Sequence, residues 1–282
     1  MARPEGLTKQ VQNCLDSKLR IGHSKYEDEK LGLTSNYIYS WNTYRSYLKH
    51  NCYFVKWAKK EHRCKTLESA RPYVNEYLQR QIDRKVSPYT QKLDASAIAK
   101  LYGCSTKDFI KTEVRQRKNI VRSRGPKAMD KHFSIANNHV FIDFCRGTGV
   151  RRDEIKGLTK EHLTYDEKTD TYYLRIKGKG GLYRNSPVVL QKAVDTILKS
   201  GDVIWKTKDI PKEADVHSYR HEYCMEIYSR YARPLDQIPR NEQYRCRGEL
   251  KGVIYDKRAM KIASVALGHS RISIIAGHYI RT

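Results

Sequence analysis

Four short motifs and one tyrosine carry side chains that could act together on a phosphate ester. In chain order the motifs are TGVRRDE from residue 148, GKGG from residue 178, HSYR from residue 217 and LGH from residue 267, and Tyr279 follows them. An arginine fork matches phosphate oxygens, histidine and lysine can move protons, and a tyrosine hydroxyl can act as a nucleophile. Each motif alone is a weak indication, because each also occurs in ordinary helix starts, turns and helix surfaces.

The charge of the chain favours an anionic partner. Its 282 residues contain 55 Lys and Arg against 31 Asp and Glu, which gives a formal net charge of +24. Nucleic acid is the usual partner of so basic a protein, because its phosphates release counterions when Lys and Arg replace them. A solvated basic surface or association with the ribosome would account for the charge but not for the ordered motifs.

Composition argues against several other classes of protein. No stretch approaches the roughly 20 apolar residues that span a bilayer, and the N-terminus lacks the apolar core of a signal peptide. The seven cysteines are odd in number and include no CxxC pair, which argues against a disulfide framework and a zinc ribbon. We therefore expect a cytoplasmic protein, associated with the nucleoid when bound to DNA, without a metal or a cofactor.

The order of the motifs resembles the tyrosine recombinase, or phage-type integrase, family. The catalytic domain of that family carries Arg, Lys, His-x-x-Arg, His or Trp, and Tyr in this order, and the match covers residues of about 130–282. The stretches 244–252 and 267–272 resemble integrase-like members from bacterial mobile elements. The resemblance implies a site-specific recombinase that cleaves and rejoins DNA through a 3′-phosphotyrosyl intermediate, without metal or ATP.

The resemblance assigns electrostatic roles to four residues. Arg151 and Arg220 would neutralise the non-bridging oxygens of the cleaved phosphate, a task suited to guanidinium forks. His269 would hydrogen-bond one of those oxygens. Glu154, three residues after Arg151, would orient its neighbours rather than take part in the chemistry.

Three further residues would handle the covalent step and its protons. Tyr279 would attack phosphorus, His217 would accept its proton, and Lys179 would protonate the leaving 5′ oxygen. Tyr279 lies ten residues after His269, whereas the family more often has nine, which is the position of His278. One residue turns a helix by about 100°, so the helix that carries Tyr279 must start or bend differently.

The pattern of apolar residues predicts a mainly α fold with a small antiparallel β-sheet, of the α+β class. We expect a helical core-binding (SAM-like) domain over residues 1–110, a basic linker over 111–130 and the catalytic domain over 131–282. The first domain should contain a helix from Asn36 to about Lys60, capped by Thr34 or Ser35. In the second, strands are expected at 171–176 and 182–189.

The cations of the first domain and linker are candidates for DNA contact. The six chosen are Arg45, Lys49, Lys56, Arg115, Arg122 and Arg124. The expected partners are double-stranded DNA, three further copies of the chain in a homotetramer on two DNA sites, and accessory DNA-bending proteins. Two alternatives remain: a catalytically inactive DNA-binding relative, and an enzyme like the type IB topoisomerases, which share the catalytic residues.

Overall fold

The computed structural model describes residues 5–116, 133–178 and 181–280. The chain forms two compact units, Met1–Ile120 and Val121–Thr282, called unit 1 and unit 2 below. Residues 117–132 lie outside the described part, so the linker over 111–130 stays a prediction.

Unit 1 is built from helices around one apolar core. They are α1 (Leu7–Asp16), α2 (Lys25–Lys30), α3 (Trp41–His62), α4 (Leu67–Ala70), α5 (Val74–Asp83) and α6 (Pro88–Tyr102). Helix α3 packs against both α1 and α6. Its Phe54 is fully buried, with its ring centroid 5.3 Å from that of Tyr77, so the inward face of α3 forms the centre of the unit.

The predicted start of α3 at Asn36 is wrong by five residues. The helix begins at Trp41, and the Ser40 hydroxyl caps it by accepting a hydrogen bond from the amide of Thr43 at 3.2 Å. The Lys100 ammonium donates hydrogen bonds to three carbonyls between residues 34 and 37. These tertiary contacts hold the preceding segment outside the helix, although its sequence is compatible with one.

Unit 2 contains helices and two small antiparallel sheets. The helices are α7 (His139–Thr148), α8 (Arg152–Ile155), α9 (Gln191–Leu198), α10 (Val216–Tyr231), α11 (Lys257–Ala266) and α12 (Ser273–His278). The strands are β1 (Leu163–Asp166), β2 (Thr171–Lys177), β3 (Tyr183–Pro187), β4 (Gln243–Arg245) and β5 (Ile254–Asp256), paired in the orders β1-β2-β3 and β4-β5. The predicted fold class is confirmed, whereas β1, β4 and β5 were not predicted.

The β2–β3 hairpin has one buried and one exposed face. In β2, Leu174 and Ile176 are fully buried, and across the ladder they pair with Ser186 and Arg184 of β3. Successive side chains of a strand alternate between its faces, so all four point into unit 2. The inward face is thus apolar on β2 but polar on β3.

Gly149 sets the geometry of the first motif. It ends α7 with a φ of +62°, a left-handed conformation that favours glycine. A Cβ at this position would lie 2.3 Å from the ring of Tyr223, so the backbone packs directly on that ring. The turn sends the chain back toward α10 and presents Arg151 two residues later.

Candidate active site

Arg151 and Glu154 form the first part of the site, at the start of α8. The Arg151 amide donates to Glu154 Oε2 at 2.7 Å, and Arg151 Nη1 donates to Glu154 Oε1 at 2.5 Å. Glu154 is buried, whereas the Arg151 side chain is 30% exposed. The buried Glu154 carboxylate therefore holds the Arg151 guanidinium in place, and the guanidinium remains partly accessible to solvent.

Arg184 is a member of this cluster that the sequence analysis missed. Its Nη1 and Nη2 donate to the two Glu154 oxygens at 3.0 and 2.7 Å, and its Nε donates to the carbonyl of Ala266 at 3.1 Å. The residue is buried, with 8% of its surface exposed. Arg184 pairs with the buried Ile176 of β2, which shows that its side chain points inward. That pairing cannot be inferred from the sequence without the strand register.

Arg220 lies at the centre of the site. It is 1% exposed and donates hydrogen bonds to the carbonyls of Gly149 and Leu267. Its Nε lies 3.3 Å from the Tyr279 hydroxyl, and its Nη1 lies 4.0 Å from Glu154 Oε2. Burial lowers the pKa of this guanidinium, and the neighbouring Tyr279 opposes that effect. The first, third and fourth motifs thus meet at one buried arginine.

Tyr279 points into the site from the end of α12. It is 4% exposed, whereas the preceding His278 is exposed. The amides of Tyr279 and Ile280 both donate to the carbonyl of Ile275, at 2.9 and 3.0 Å, so the last turn of the helix is widened. Tyr279, the tenth residue after His269, thus faces Arg220, whereas the ninth, His278, faces away from the site.

Two histidines flank the Tyr279 ring. His269 follows the left-handed Gly268, and its Nε2 lies 3.4 Å from the Tyr279 hydroxyl. The exposed His217 is in the first turn of α10, with its ring centroid 5.6 Å from that of Tyr279. Burial, and after it the charge of Arg220, lowers the pKa of His269 to about 4. His269 is therefore neutral near pH 7 before an anion binds.

The cluster holds more positive than negative charge. Burial acts to raise the pKa of Glu154, but the hydrogen bonds and charges of Arg184 and Arg151 lower it to about 2. Glu154 is thus ionised and offsets one charge of the guanidiniums of Arg151, Arg184 and Arg220. Three positive charges and one negative charge leave an excess of two, which suits a phosphate anion.

Comparisons with known proteins identify the architecture. No family model and no curated protein matches the chain. Among solved structures, the XerH site-specific recombinase bound to palindromic difH substrate in a post-cleavage complex aligns with a TM-score of 0.56 at 15% identity, over 97% of this chain and 94% of that one. The chain has the tyrosine-recombinase fold.

Two further solved structures align over most of the chain with lower scores. The XerH pre-cleavage complex with difH has a TM-score of 0.45 at 15% identity, covering 97% of this chain and 82% of that one. The Tn1549 transposon integrase in complex with circular intermediate DNA has a TM-score of 0.42 at 12% identity, covering 99% and 96%.

Some residues predicted to take part in catalysis or DNA binding lie outside the residues that the structure describes. Lys179 is one of them, although the adjacent Gly178 is described. A Cβ on Gly178 would lie 3.5 Å from Arg184 Nη1 and 3.9 Å from Glu154 Oε1, so the turn that carries Lys179 begins beside the cluster. Arg122 and Arg124 are also outside it.

The other predicted DNA-binding residues are exposed in unit 1. Arg45, Lys49 and Lys56 lie on the outer side of α3, and Arg115 follows α6 with its guanidinium 5.6 Å from the Tyr89 ring centroid. Within residues 5–116, 133–178 and 181–280, no group of three or more His, Cys, Asp or Glu could hold a metal ion. No helix in those same ranges is long and apolar enough to cross a membrane.

Proposed function

We propose that the chain is a site-specific DNA recombinase that cleaves and rejoins DNA through Tyr279, without metal or ATP. One observation carries the proposal: the Tyr279 hydroxyl lies 3.3 Å from Arg220 Nε and 3.4 Å from His269 Nε2, beside a cluster with excess positive charge. The fold that the chain shares with the XerH recombinase, itself bound to its DNA substrate, supports this class of reaction.

The guanidiniums of Arg220 and Arg151 would bind the phosphate. Three of the five N–H groups of Arg220 donate to Gly149, Leu267 and Tyr279. The other two can donate to the non-bridging oxygens of the phosphate. Arg151 is partly exposed and adds a second fork. Because these groups are held before the substrate arrives, they stabilise the developing charge without reorganising.

The covalent step exchanges one phosphate ester for another. The Tyr279 oxygen forms a bond to phosphorus while the bond from phosphorus to the 5′ oxygen breaks. His217 accepts the phenol proton, Lys179 donates a proton to the 5′ oxygen, and the neutral His269 hydrogen-bonds a non-bridging oxygen. The phosphotyrosyl ester keeps the energy of the broken linkage, so a 5′ hydroxyl of a second strand can reverse the step without ATP.

Recombination needs two duplexes, so we propose a homotetramer on two double-stranded DNA sites, with accessory DNA-bending proteins as further partners. Exchange between two duplexes breaks four strands, and each break would use one Tyr279. Mass photometry of the protein with its cognate duplex should show a species with four chains and two duplexes. A species that never exceeds one chain per duplex would instead favour an enzyme of the topoisomerase type.

Covalent trapping tests the proposed reaction. The protein is incubated in EDTA with nicked duplexes drawn from the sequence around its own gene, and adducts are separated on denaturing gels. The wild type should form an adduct on one fragment, and Tyr279→Phe should form none. An adduct that persists in Tyr279→Phe would contradict the assignment. Tight binding to the cognate fragment without any adduct would indicate a binding protein only, and relaxation of plasmids without a site preference would indicate a topoisomerase.

A further inference from the structure

The exposed side of the β2–β3 hairpin carries a regular set of polar and aromatic side chains. We call Tyr173, Arg175, Lys177, Tyr183 and Asn185 the outer face. In the ladder, Lys177 pairs with Tyr183 and Arg175 pairs with Asn185, so these four stand in two adjacent rows. Tyr183 is 56% exposed, and Leu182 beside it is 80% exposed. Nothing in the proposed chemistry uses this surface.

The outer face is cationic at one end only. The Arg175 guanidinium lies 4.8 Å from the centroid of the Tyr183 ring, and the Lys177 ammonium lies 5.9 Å from it. In the part of the chain that the structure describes, no carboxylate forms an ion pair with either cation. The acidic residues of this sheet lie at the opposite end, within the segment 166–170 around the β1–β2 turn. The positive charge is therefore concentrated toward the tip of the hairpin.

The tip of the β2–β3 hairpin is connected to the candidate active site. Arg184, between two residues of the outer face, projects to the other side of the strand and binds Glu154. Since a strand advances about 3.3 Å per residue, Arg175 and Lys177 lie within roughly 10 Å of Arg184 along the hairpin. A duplex with one phosphate at Arg151 would extend well beyond that distance in both directions.

We propose that the outer face binds the sugar-phosphate backbone of the DNA duplex beside the cleaved phosphate. Arg175 and Lys177 would each replace a counterion, and the Tyr183 ring between them would hold both cations in place and pack against a sugar. The proposal rests on the proposed function, because it takes the duplex at the active site as the ligand. It adds a contact surface in unit 2 to the candidate contacts of unit 1 and the linker.

Salt-dependent binding tests the outer face. Arg175→Gln/Lys177→Gln is compared with Lys206→Gln/Lys208→Gln, which removes the same charge from exposed lysines elsewhere in unit 2. Affinity for a short random-sequence duplex is measured from about 0.05 to about 0.3 M salt. The outer-face variant should lose about two units of slope in log Kd against log salt and bind roughly 10- to 30-fold more weakly at about 0.15 M. The control should keep the wild-type slope.

Equal slopes for the two variants would overturn the proposal. So would normal DNA binding by the outer-face variant together with a change in its self-association, which would make the face a contact between copies. Wild-type adduct formation is scored separately on nicked DNA. An absent Tyr279 adduct would count against the proposed function, whereas the comparison of slopes would still decide whether the outer face contacts DNA.

Discussion

Arg184 binds Glu154 through two parallel hydrogen bonds, Nη1 to Oε1 at 3.0 Å and Nη2 to Oε2 at 2.7 Å, and both residues are buried. The same guanidinium donates to the Ala266 carbonyl at the end of α11. One side chain thus joins the β2–β3 hairpin, the helix start that holds Arg151, and the helix end that precedes His269.

Replacing Arg184 by lysine should slow DNA cleavage while leaving DNA binding nearly intact. A lysine keeps the positive charge but lacks the planar fork, so Glu154 and Arg151 lose their fixed orientation. We expect single-turnover adduct formation to fall roughly 100- to 1,000-fold, the range for losing one preorganised electrostatic contact. Arg240→Lys, at an exposed arginine elsewhere in unit 2, is the matched control and should cleave at the wild-type rate. Cleavage by Arg184→Lys at that rate would show that the fork does not position the site.

Gly149→Ala should destabilise unit 2 far more than Gly157→Ala. Both glycines have positive φ, of 62° and 79°, so both substitutions carry about the same backbone strain, on the order of 1 kcal/mol. Only the Cβ at 149 meets a neighbour, the Tyr223 ring, and overpacking of this kind typically costs a further ~1–3 kcal/mol. Urea unfolding followed by circular dichroism measures the difference. Equal losses would mean that the Gly149 backbone does not pack on Tyr223.

The imidazole of His269 should have a pKa well below that of an ordinary histidine. Burial lowers its pKa from 6.5 to about 4, and the charge of Arg220 contributes. Because protonation is then less favourable in the folded than in the unfolded chain, this residue lowers stability as the pH falls from 6.5 toward 4. An NMR titration of the imidazole signals, assigned with His269→Gln, checks the value. Bound DNA should raise the pKa through the phosphate charge, and a pKa of 6.5 or higher in the free protein would contradict the described burial.

A tyrosine at position 278 should not replace Tyr279 as the nucleophile. In His278→Tyr/Tyr279→Phe the tyrosine occupies the position that is more common in the family, but the His278 side chain is exposed while Tyr279 points toward Arg220. We therefore expect no covalent adduct from the double variant on nicked DNA. His278→Tyr alone is the control and should still form one through Tyr279. An adduct from the double variant would show that α12 can rotate by one residue.

The sequence predicted the fold class and pointed to candidate site residues, because motifs and apolar periodicity are local patterns. Arg151 and Arg220 stand in recognisable motifs, and Tyr279 follows them. In the structure both arginines lie beside Glu154, and Tyr279 lies beside Arg220. Arg184 has no such pattern around it, since the strand YRNSP is polar on both faces and shows no apolar alternation. Its role depends on the pairing with β2 and on a carboxylate 30 residues earlier.

Long-range contacts also explain the misplaced helix start in unit 1. The segment before Trp41 has helical periodicity, but Lys100, more than 60 residues later, holds its carbonyls. The three-residue strands β4 and β5 were missed because so short a segment carries no usable period. The ten-residue spacing between His269 and Tyr279 is visible in the sequence, but only the structure shows that Tyr279 faces Arg220 while His278 is exposed.

Cleavage should leave Tyr279 bonded to the 3′ phosphate of DNA. The most direct measurement is mass spectrometry of the adduct after digestion with protease and nuclease. We expect a peptide that contains Tyr279 and carries the mass of a nucleotide 3′-phosphate on that tyrosine. The same modification on Tyr244, Tyr255 or any other residue, or an adduct with a 5′ phosphate, would contradict it.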